Sequence, residues 1–259
     1  MDRLRTSLVT GASSGIGEEF ARQLAAQGKD LVLVARNERR LREIAAELTA
    51  AHGVRVQVLA ADLSLPGAAG RIWAETERLG IAVDLLVNNA GVGKRGEFAV
   101  LDQDFQAAMV RLNVNTPMEL ARLYLPGMRA RRRGGIINVA SNAAFQPVPY
   151  LAVYAASKAF LLHFSEALAE EVGADGVRVM ALCPGATDTS FWDVAGMLQS
   201  RRGWMSSPRK VVSSGLSAFA RRRAFFVPGL GYALVAFAAS RLGPRWLVRR
   251  IAGRLLRVA

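Results

Sequence analysis

The chain holds one cysteine, Cys183, and two histidines, His52 and His163, in 259 residues. A lone thiol excludes an intramolecular disulfide and suits a reducing, cytoplasmic setting. At a strand end it reads as a small buried hydrophobe. Neither histidine has a cysteine or acid at ligand spacing, so no metal site is expected. There is no internal repeat, low-complexity tract or long polar linker. The first apolar strand starts within a few residues of Met1, which leaves no room for a hydrophobic export segment. The uncharged stretch 224–240 is too short and too glycine-broken to span a bilayer, which takes about 20 apolar residues. No acidic residue follows Asp193.

What is present is a 51% hydrophobic content and apolar strands alternating with helical stretches. That pattern predicts βαβ units around a parallel sheet. The expected strands are Ser7–Val9, Leu31–Val34, Val56–Ala61, Leu85–Val87, Ile136–Ala140, Val177–Cys183 and a last one over Ala224–Val227. Chemistry-bearing residues stand at their ends: Thr10-Gly11-Ala12-Ser13-Ser14-Gly15-Ile16-Gly17, Asp62-Leu63, Asn88-Asn89-Ala90-Gly91, Ser141 and Pro184-Gly185. Open parallel sheets bind ligands at that edge. The glycine-rich turn between a strand and a helix suits phosphate binding. Gly11 permits the turn, Gly15 allows close approach to a pyrophosphate, and Gly17 allows tight packing of the helix. The expected fold is α/β, a single-domain doubly wound parallel sheet of Rossmann type with helices on both faces.

Tyr154 and Lys158 are one helical turn apart, and Ser141 lies upstream of them. On one helix face, a lysine can stabilise a phenolate and lower the tyrosine pKa, making it a general acid or base. Ser141 can hydrogen-bond a substrate oxygen on which charge develops.

Together, the Thr10–Gly17 turn, Asn88-Asn89-Ala90-Gly91, Ser141, Tyr154-x-x-x-Lys158 and Pro184-Gly185 resemble the short-chain dehydrogenases/reductases, in their shorter branch. The resemblance covers residues 5 to 190 or so. It implies hydride transfer between a nicotinamide and an alcohol or carbonyl, and a homodimer or homotetramer. It also implies a fourth catalytic residue, an asparagine; Asn113 fits the Leu125-Pro126 spacing better than Asn115 does. The catalytic set is thus Asn113, Ser141, Tyr154 and Lys158. The cofactor set is Gly11, Ser13, Ser14, Gly15, Ile16, Gly17, Arg36, Asp62, Leu63, Asn89, Ala90, Gly91, Tyr154, Lys158, Pro184, Gly185, Thr187 and Thr189.

An NAD-selective site would carry an acid where Ala35 stands; Arg36 follows it and can pair with a 2′-phosphate. NADP(H) is therefore preferred over NAD(H), although Ser14 stands where many NADP-using members carry a second base. The plain alternative for Arg36 is a solvated helix-cap arginine. Asp62 would hydrogen-bond the adenine or, alternatively, cap the following helix.

Of 34 Lys and Arg and 21 Asp and Glu, 13 basic and no acidic residues lie after Asp193. Subtraction leaves 21 of each sign in 1–193, so the net charge of +13 belongs to the C-terminal quarter. Over Pro244–Val258 helical periodicity gathers Leu247, Val248, Ile251, Ala252, Leu255, Leu256 and Val258 on one face. Arg245, Arg249, Arg250, Arg254, Arg257 and Trp246 share the other. The apolar face can pack on the protein's own core or a sister subunit, leaving the arginines in solvent, or the helix can lie on a membrane surface; no nucleic-acid recognition motif accompanies the charge. The run Arg129–Arg133 reads as a solvated turn.

Residues 1–228 are expected to form the catalytic domain, with a substrate lid around 186–210, and 229–259 a basic helical extension of it. The lid's Phe191, Trp192, Val194, Met197, Leu198, Trp204 and Met205 suit a hydrophobic ketone, 3-oxoacyl chain or steroid-like molecule. The rival expectation from another class is a non-catalytic NAD(P)-binding sensor or membrane-associated scaffold.

Overall fold

The computed structural model describes residues 4–196, 205–242 and 244–256. Its strands are β1 (Thr6–Thr10), β2 (Asp30–Ala35), β3 (Val56–Ala60), β4 (Leu85–Asn88), β5 (Gly134–Val139), β6 (Val177–Leu182) and β7 (Phe225–Phe226). They form one sheet in the order β3-β2-β1-β4-β5-β6-β7, and every pairing is parallel. The helices are α1 (Gly15–Ala26), α2 (Glu38–His52), α3 (Ala68–Arg78), α4 (Gln103–Val110), α5 (Thr116–Ala130), α6 (Ala152–Val172), α7 (Phe191–Ala195), α8 (Pro208–Ala220), α9 (Leu230–Phe237) and α10 (Arg245–Leu256).

The strands are apolar at both parities because both faces of the sheet are covered. Val9, Leu33, Ile137 and Met180 pack with Phe20 and Leu24 of α1, Ile44 of α2 and Phe219 of α8. Their strand neighbours Leu8, Val32, Ile136 and Val179 face the other way, onto Ile72 of α3, Leu120 and Tyr124 of α5, and Leu168 and Val172 of α6. The chain winds outward from β1 to β3, then crosses to β4 and winds the opposite way. That reversal opens a crevice between the C-terminal ends of β1 and β4, where doubly wound sheets hold ligands.

Two expectations are corrected. The run Arg129–Arg133 is not merely solvated. Arg131 and Arg133 both reach the carboxylate of Asp84, at 3.7 and 3.2 Å, and Asp84 is 1% exposed. A buried carboxylate needs partners, and this turn supplies them, together with the Arg5 amide at 2.8 Å. Nor does the whole apolar face of α10 pack on the protein's own core: Leu247 and Ile251 remain 39% and 52% exposed. The helix rests on one edge, where a Cβ at Gly253 would lie 3.4 Å from Pro149 Cγ. Val258 lies outside the described residues. Among the described residues no helix is long and apolar enough to cross a membrane.

Candidate active site

Ser141 leaves the end of β5 and opens a 3₁₀ turn over Asn142–Phe145, its Oγ accepting the Ala143 N–H at 3.1 Å. Tyr154 and Lys158 project from the first turns of α6, and both are buried. Lys158 Nζ donates to the Val139 carbonyl at 2.8 Å and lies 5.8 Å from the centre of the Tyr154 ring. Asn113 stands in a π-helical turn, Arg111–Asn115, inserted between α4 and α5. Such turns re-aim side chains and recur at functional sites. Its side chain is fully buried. Nδ2 donates to the Val92 carbonyl at 2.9 Å and Ser157 Oγ at 3.1 Å, while Oδ1 accepts the Val92 N–H at 3.0 Å. Asn115 is exposed; of the two candidates, only Asn113 reaches α6. A Cβ at Gly91 would lie 3.1 Å from Asn113 Oδ1 and 3.2 Å from Lys158 Nζ. The missing side chain at Gly91 is what lets these groups converge.

The electrostatics differ from the expectation that Lys158 lowers the Tyr154 pKa. Burial pushes the phenol up, and the hydrogen bond with Ser141 is what opposes it. Burial also drives Lys158 down from 10.5 to about 8, with the Cys183 thiol pulling the other way. The ammonium donates to the Val139 backbone carbonyl, and burial rather than the lysine sets the direction of the Tyr154 shift. Tyr154 is accordingly a protonated donor at neutral pH.

The lowered lysine carries a stability consequence. Between about pH 8 and 10 the folded chain has shed a proton that the unfolded chain still holds, so stability rises with pH in that window. Above pH 10 the raised Tyr154 reverses the slope. The unfolding free energy of ligand-free protein from urea titration is expected to rise from pH 8 to 10 by on the order of 2 kcal/mol relative to Lys158→Met, which has no such proton. Parallel profiles for the two proteins would contradict this.

The expected cofactor residues outside α6 follow the C-terminal ends of β1, β2, β3, β4 and β6. Thr10 Oγ1 accepts the N–H groups of Asn89 and Ala90 at 2.9 and 3.0 Å, and Asn89 Nδ2 donates to the Thr10 carbonyl at 2.9 Å, fixing the β1 turn against the β4 end. Gly11 and Gly15 take positive φ of 64° and 57°. Ser14 is the N-cap of α1 and makes no side-chain cap bond, so first-turn N–H groups remain for an anion. Thr189 and Thr187, on the loop after Pro184-Gly185, come in from the other side: Thr189 Cγ2 would lie 2.9 Å from a Gly15 Cβ. Ser13 and Ile16 are half-buried in the turn, and Leu63 is buried, its carbonyl accepting from Thr116 at 2.7 Å. Arg36 is exposed at the end of β2, near enough to Asp62 to help hold its carboxyl low; the largest cause is the Ser64 hydroxyl. Asp62 does not cap α3, whose N-cap is Gly67; its Oδ1 accepts from Ser64 N and Oγ at 2.9 and 2.6 Å. A strand end with a glycine turn and an uncapped helix start fits a nicotinamide dinucleotide, and Arg36 stands beside the β2 terminus.

Over the catalytic end, Phe191 lies on the Tyr154 ring, centres 5.4 Å apart, and Trp192 meets Phe191 edge-on at 5.7 Å. Trp192 Nε1 donates to the Thr187 carbonyl at 2.6 Å. Met205 is half-buried, and a one-residue bridge joins Thr187 to Ser206. Met197, Leu198 and Trp204 lie outside the described residues. A recess of about 20 Å³ opens beside Tyr154. A much larger groove, about 1830 Å³, runs nearby between α6, β7, α9 and α10, but none of Ser141, Tyr154 and Lys158 lines it.

Sequence reasoning missed three contributors: Ser157, which bonds Asn113 and the Tyr154 carbonyl; the Val139 carbonyl; and Gly93, whose bareness lets Phe191 approach Tyr154. Only Ser157 carried a signal, a hydroxyl one helical turn after Tyr154 that can bond back to its carbonyl.

The short chain dehydrogenase family pattern matches residues 5–196. A very-long-chain 3-oxoacyl-CoA reductase of Mycosarcoma maydis is 34% identical over 96% of this chain and 73% of its own length. The curated relatives are covered over 58% to 73% of their length. A short-chain dehydrogenase from Sphingobium yanoikuyae in complex with NADPH is 34% identical, with a TM-score of 0.84 over 92% of this chain and 94% of that one. A 7β-hydroxysteroid dehydrogenase is 26% identical, with a TM-score of 0.89 over 97% and 98%. The chain belongs to the short-chain dehydrogenase/reductase family and is an oxidoreductase acting on CH–OH and C=O groups.

Proposed function

We propose that the protein is an NADP(H)-dependent reductase of apolar carbonyls, taking a ketone, 3-oxoacyl chain or steroid-like molecule to its secondary alcohol. The observation that carries this reading is the meeting of Asn113, Ser141, Tyr154 and Lys158 at the crevice edge. The bound cofactor supplies hydride to the carbonyl carbon. Tyr154, kept protonated by burial, gives its proton to the carbonyl oxygen. Ser141 Oγ accepts from Ala143 and hydrogen-bonds Tyr154, and with a substrate bound its O–H would turn to steady the same oxygen. Lys158, which donates to the Val139 carbonyl, would also hold the ribose of a bound nicotinamide. Asn113 holds a relay water: its side chain is engaged, and the helical donor for its carbonyl would be residue 117, a proline with no N–H.

Gly11, Ser13, Ser14, Gly15, Ile16 and Gly17 would bind the pyrophosphate side. Arg36 would take the 2′-phosphate and Asp62 the adenine, with Leu63, Asn89, Ala90 and Gly91 along the nucleoside and Pro184, Gly185, Thr187 and Thr189 along the nicotinamide side. The Arg36 charge favours NADP(H); NAD(H) is the second choice. Residues 1–228 would make the catalytic unit, with the lid around 186–210 closing on an apolar substrate through Phe191 and Trp192. The names of relatives acting on 3-oxoacyl-CoA and hydroxysteroids support that substrate class. The family habit supports a homodimer or homotetramer, and the single buried thiol Cys183 supports a cytoplasmic setting.

The test is NADPH consumption against bulky ketones, 3-oxoacyl thioesters and free sugars. Apolar carbonyls are expected to exceed sugars in kcat/KM by about a hundredfold, the scale of losing several buried methylenes. Equal turnover of sugars, or none of any carbonyl, would contradict the substrate class.

A further inference from the structure

From the C-terminal quarter we infer an interaction surface: the outer face of α9 and α10 docks onto an anionic phospholipid bilayer. Leu230, Leu234, Phe237, Leu247 and Ile251 are between 39% and 86% exposed, and Trp246, on the arginine side of α10, is 54% exposed. A soluble surface rarely leaves so many large apolar side chains together without a partner. Arg250 and Arg254 on α10, and Arg241, Arg245 and Arg249 along the groove beside it, are all exposed, and no acidic residue occurs after Asp193 to offset them. Arg250 lies over the Trp246 ring, 5.5 Å from its centre. That pairs a cation with an aromatic ring suited to the headgroup level.

Charge selects among the occupants. A second copy seated face to face would bring arginines onto arginines, with no carboxylate on α9 or α10 to answer them. A nucleic-acid backbone would match the arginines but leave the apolar row against water or phosphate. An anionic lipid surface offers headgroups to the arginines and hydrocarbon to the leucines at once. The 1830 Å³ groove opens between this face and α6, with Leu230 and Phe237 on its lip, so docking would place its mouth at the lipid. Tyr232 of α9 ties the face to the catalytic loop: its ring would lie 2.3 Å from a Gly185 Cβ, and its hydroxyl donates to the Ala186 carbonyl at 3.4 Å.

The experiment is co-sedimentation of the full chain with phosphatidylcholine vesicles, with and without phosphatidylglycerol, needing neither cofactor nor substrate. Its outcome is therefore separate from that of the reductase reading. Partition onto anionic vesicles is expected to exceed that onto neutral ones by on the order of a hundredfold and to weaken with salt. Arg249→Gln and Arg250→Gln should each lower it about fivefold. Ile251→Glu should lower it more than tenfold, since it puts a charge into the apolar row. All three variants should keep wild-type NADPH affinity, because none touches the crevice. Equal partition onto both vesicle types, or none, would overturn the inference. So would binding to duplex DNA as tight as to the anionic vesicles, or a self-association that Ile251→Glu abolishes while vesicles stay unbound.

Discussion

Replacing Tyr154 by Phe is expected to lower kcat about a thousandfold, within the range that removal of a positioned general acid produces, while leaving NADPH affinity within a few-fold of wild type. The ring would stay: it packs against Phe191 with centres 5.4 Å apart and lies among Met109, Val148 and Leu151. Only the hydroxyl is lost, and with it the proton for the carbonyl oxygen. The Ser141 hydroxyl cannot stand in, because a serine O–H is a far weaker acid than a phenol. Loss of a buried hydroxyl whose partner is half-exposed Ser141 should cost little stability, about 1 kcal/mol, so unfolding is no explanation for the lost rate. The measurement is steady-state reduction with a parallel NADPH titration. A variant that keeps near-normal rates would remove Tyr154 from the chemistry.

Gly17→Ala should have the opposite signature, with cofactor affinity reduced by more than a hundredfold. A Cβ at this position would fall 2.2 Å from the Gly11 carbonyl oxygen and 2.5 Å from Asn89 Nδ2. Neither can give way cheaply. Gly11 is backbone of the turn, and Asn89 is pinned by the bond to the Thr10 carbonyl at 2.9 Å. The turn must move off the start of α1, which separates the N–H groups that a pyrophosphate would bridge. Overpacking of this kind also costs roughly 1–3 kcal/mol of stability. Gly15→Ala keeps the test decisive if the first variant folds poorly. It sits at the surface of the turn, needs φ of +57°, and meets only the Thr189 side chain, at 2.9 Å. It too should lose most cofactor affinity while remaining folded. Wild-type binding in both variants would place the dinucleotide elsewhere.

The parts legible in the sequence were those written in short-range pattern. The continuous apolar runs ending in glycine, asparagine or serine located the strands and the edge to which they point; the last, expected over Ala224–Val227, forms over Phe225–Phe226 alone. The Tyr154–Lys158 spacing placed two side chains on one face of α6 because helical geometry leaves no choice. What was not legible depends on partners distant in the chain. Arg131 and Arg133 look solvated until Asp84, brought beside them by β4, is seen to be buried. The π-helical turn that carries Asn113 inward has no local signature apart from Pro117. The direction of the Tyr154 shift follows from burial under Phe191 and α6, a tertiary effect that outweighs the lysine four residues away. Helical periodicity gave α10 an apolar face but could not say that it would meet Pro149 at Gly253 and leave Leu247 and Ile251 exposed.

The most direct measurement is titration of the purified chain with NADPH and with NADH by nicotinamide fluorescence, with Arg36→Asp alongside. Saturable NADPH binding tighter than NADH by about tenfold or more, reversed in Arg36→Asp, is the predicted result, an arginine–phosphate pair contributing roughly 1.5–3 kcal/mol. Equal affinities unaffected by the substitution would contradict the NADP(H) assignment, and absence of binding to either dinucleotide would contradict the reductase itself.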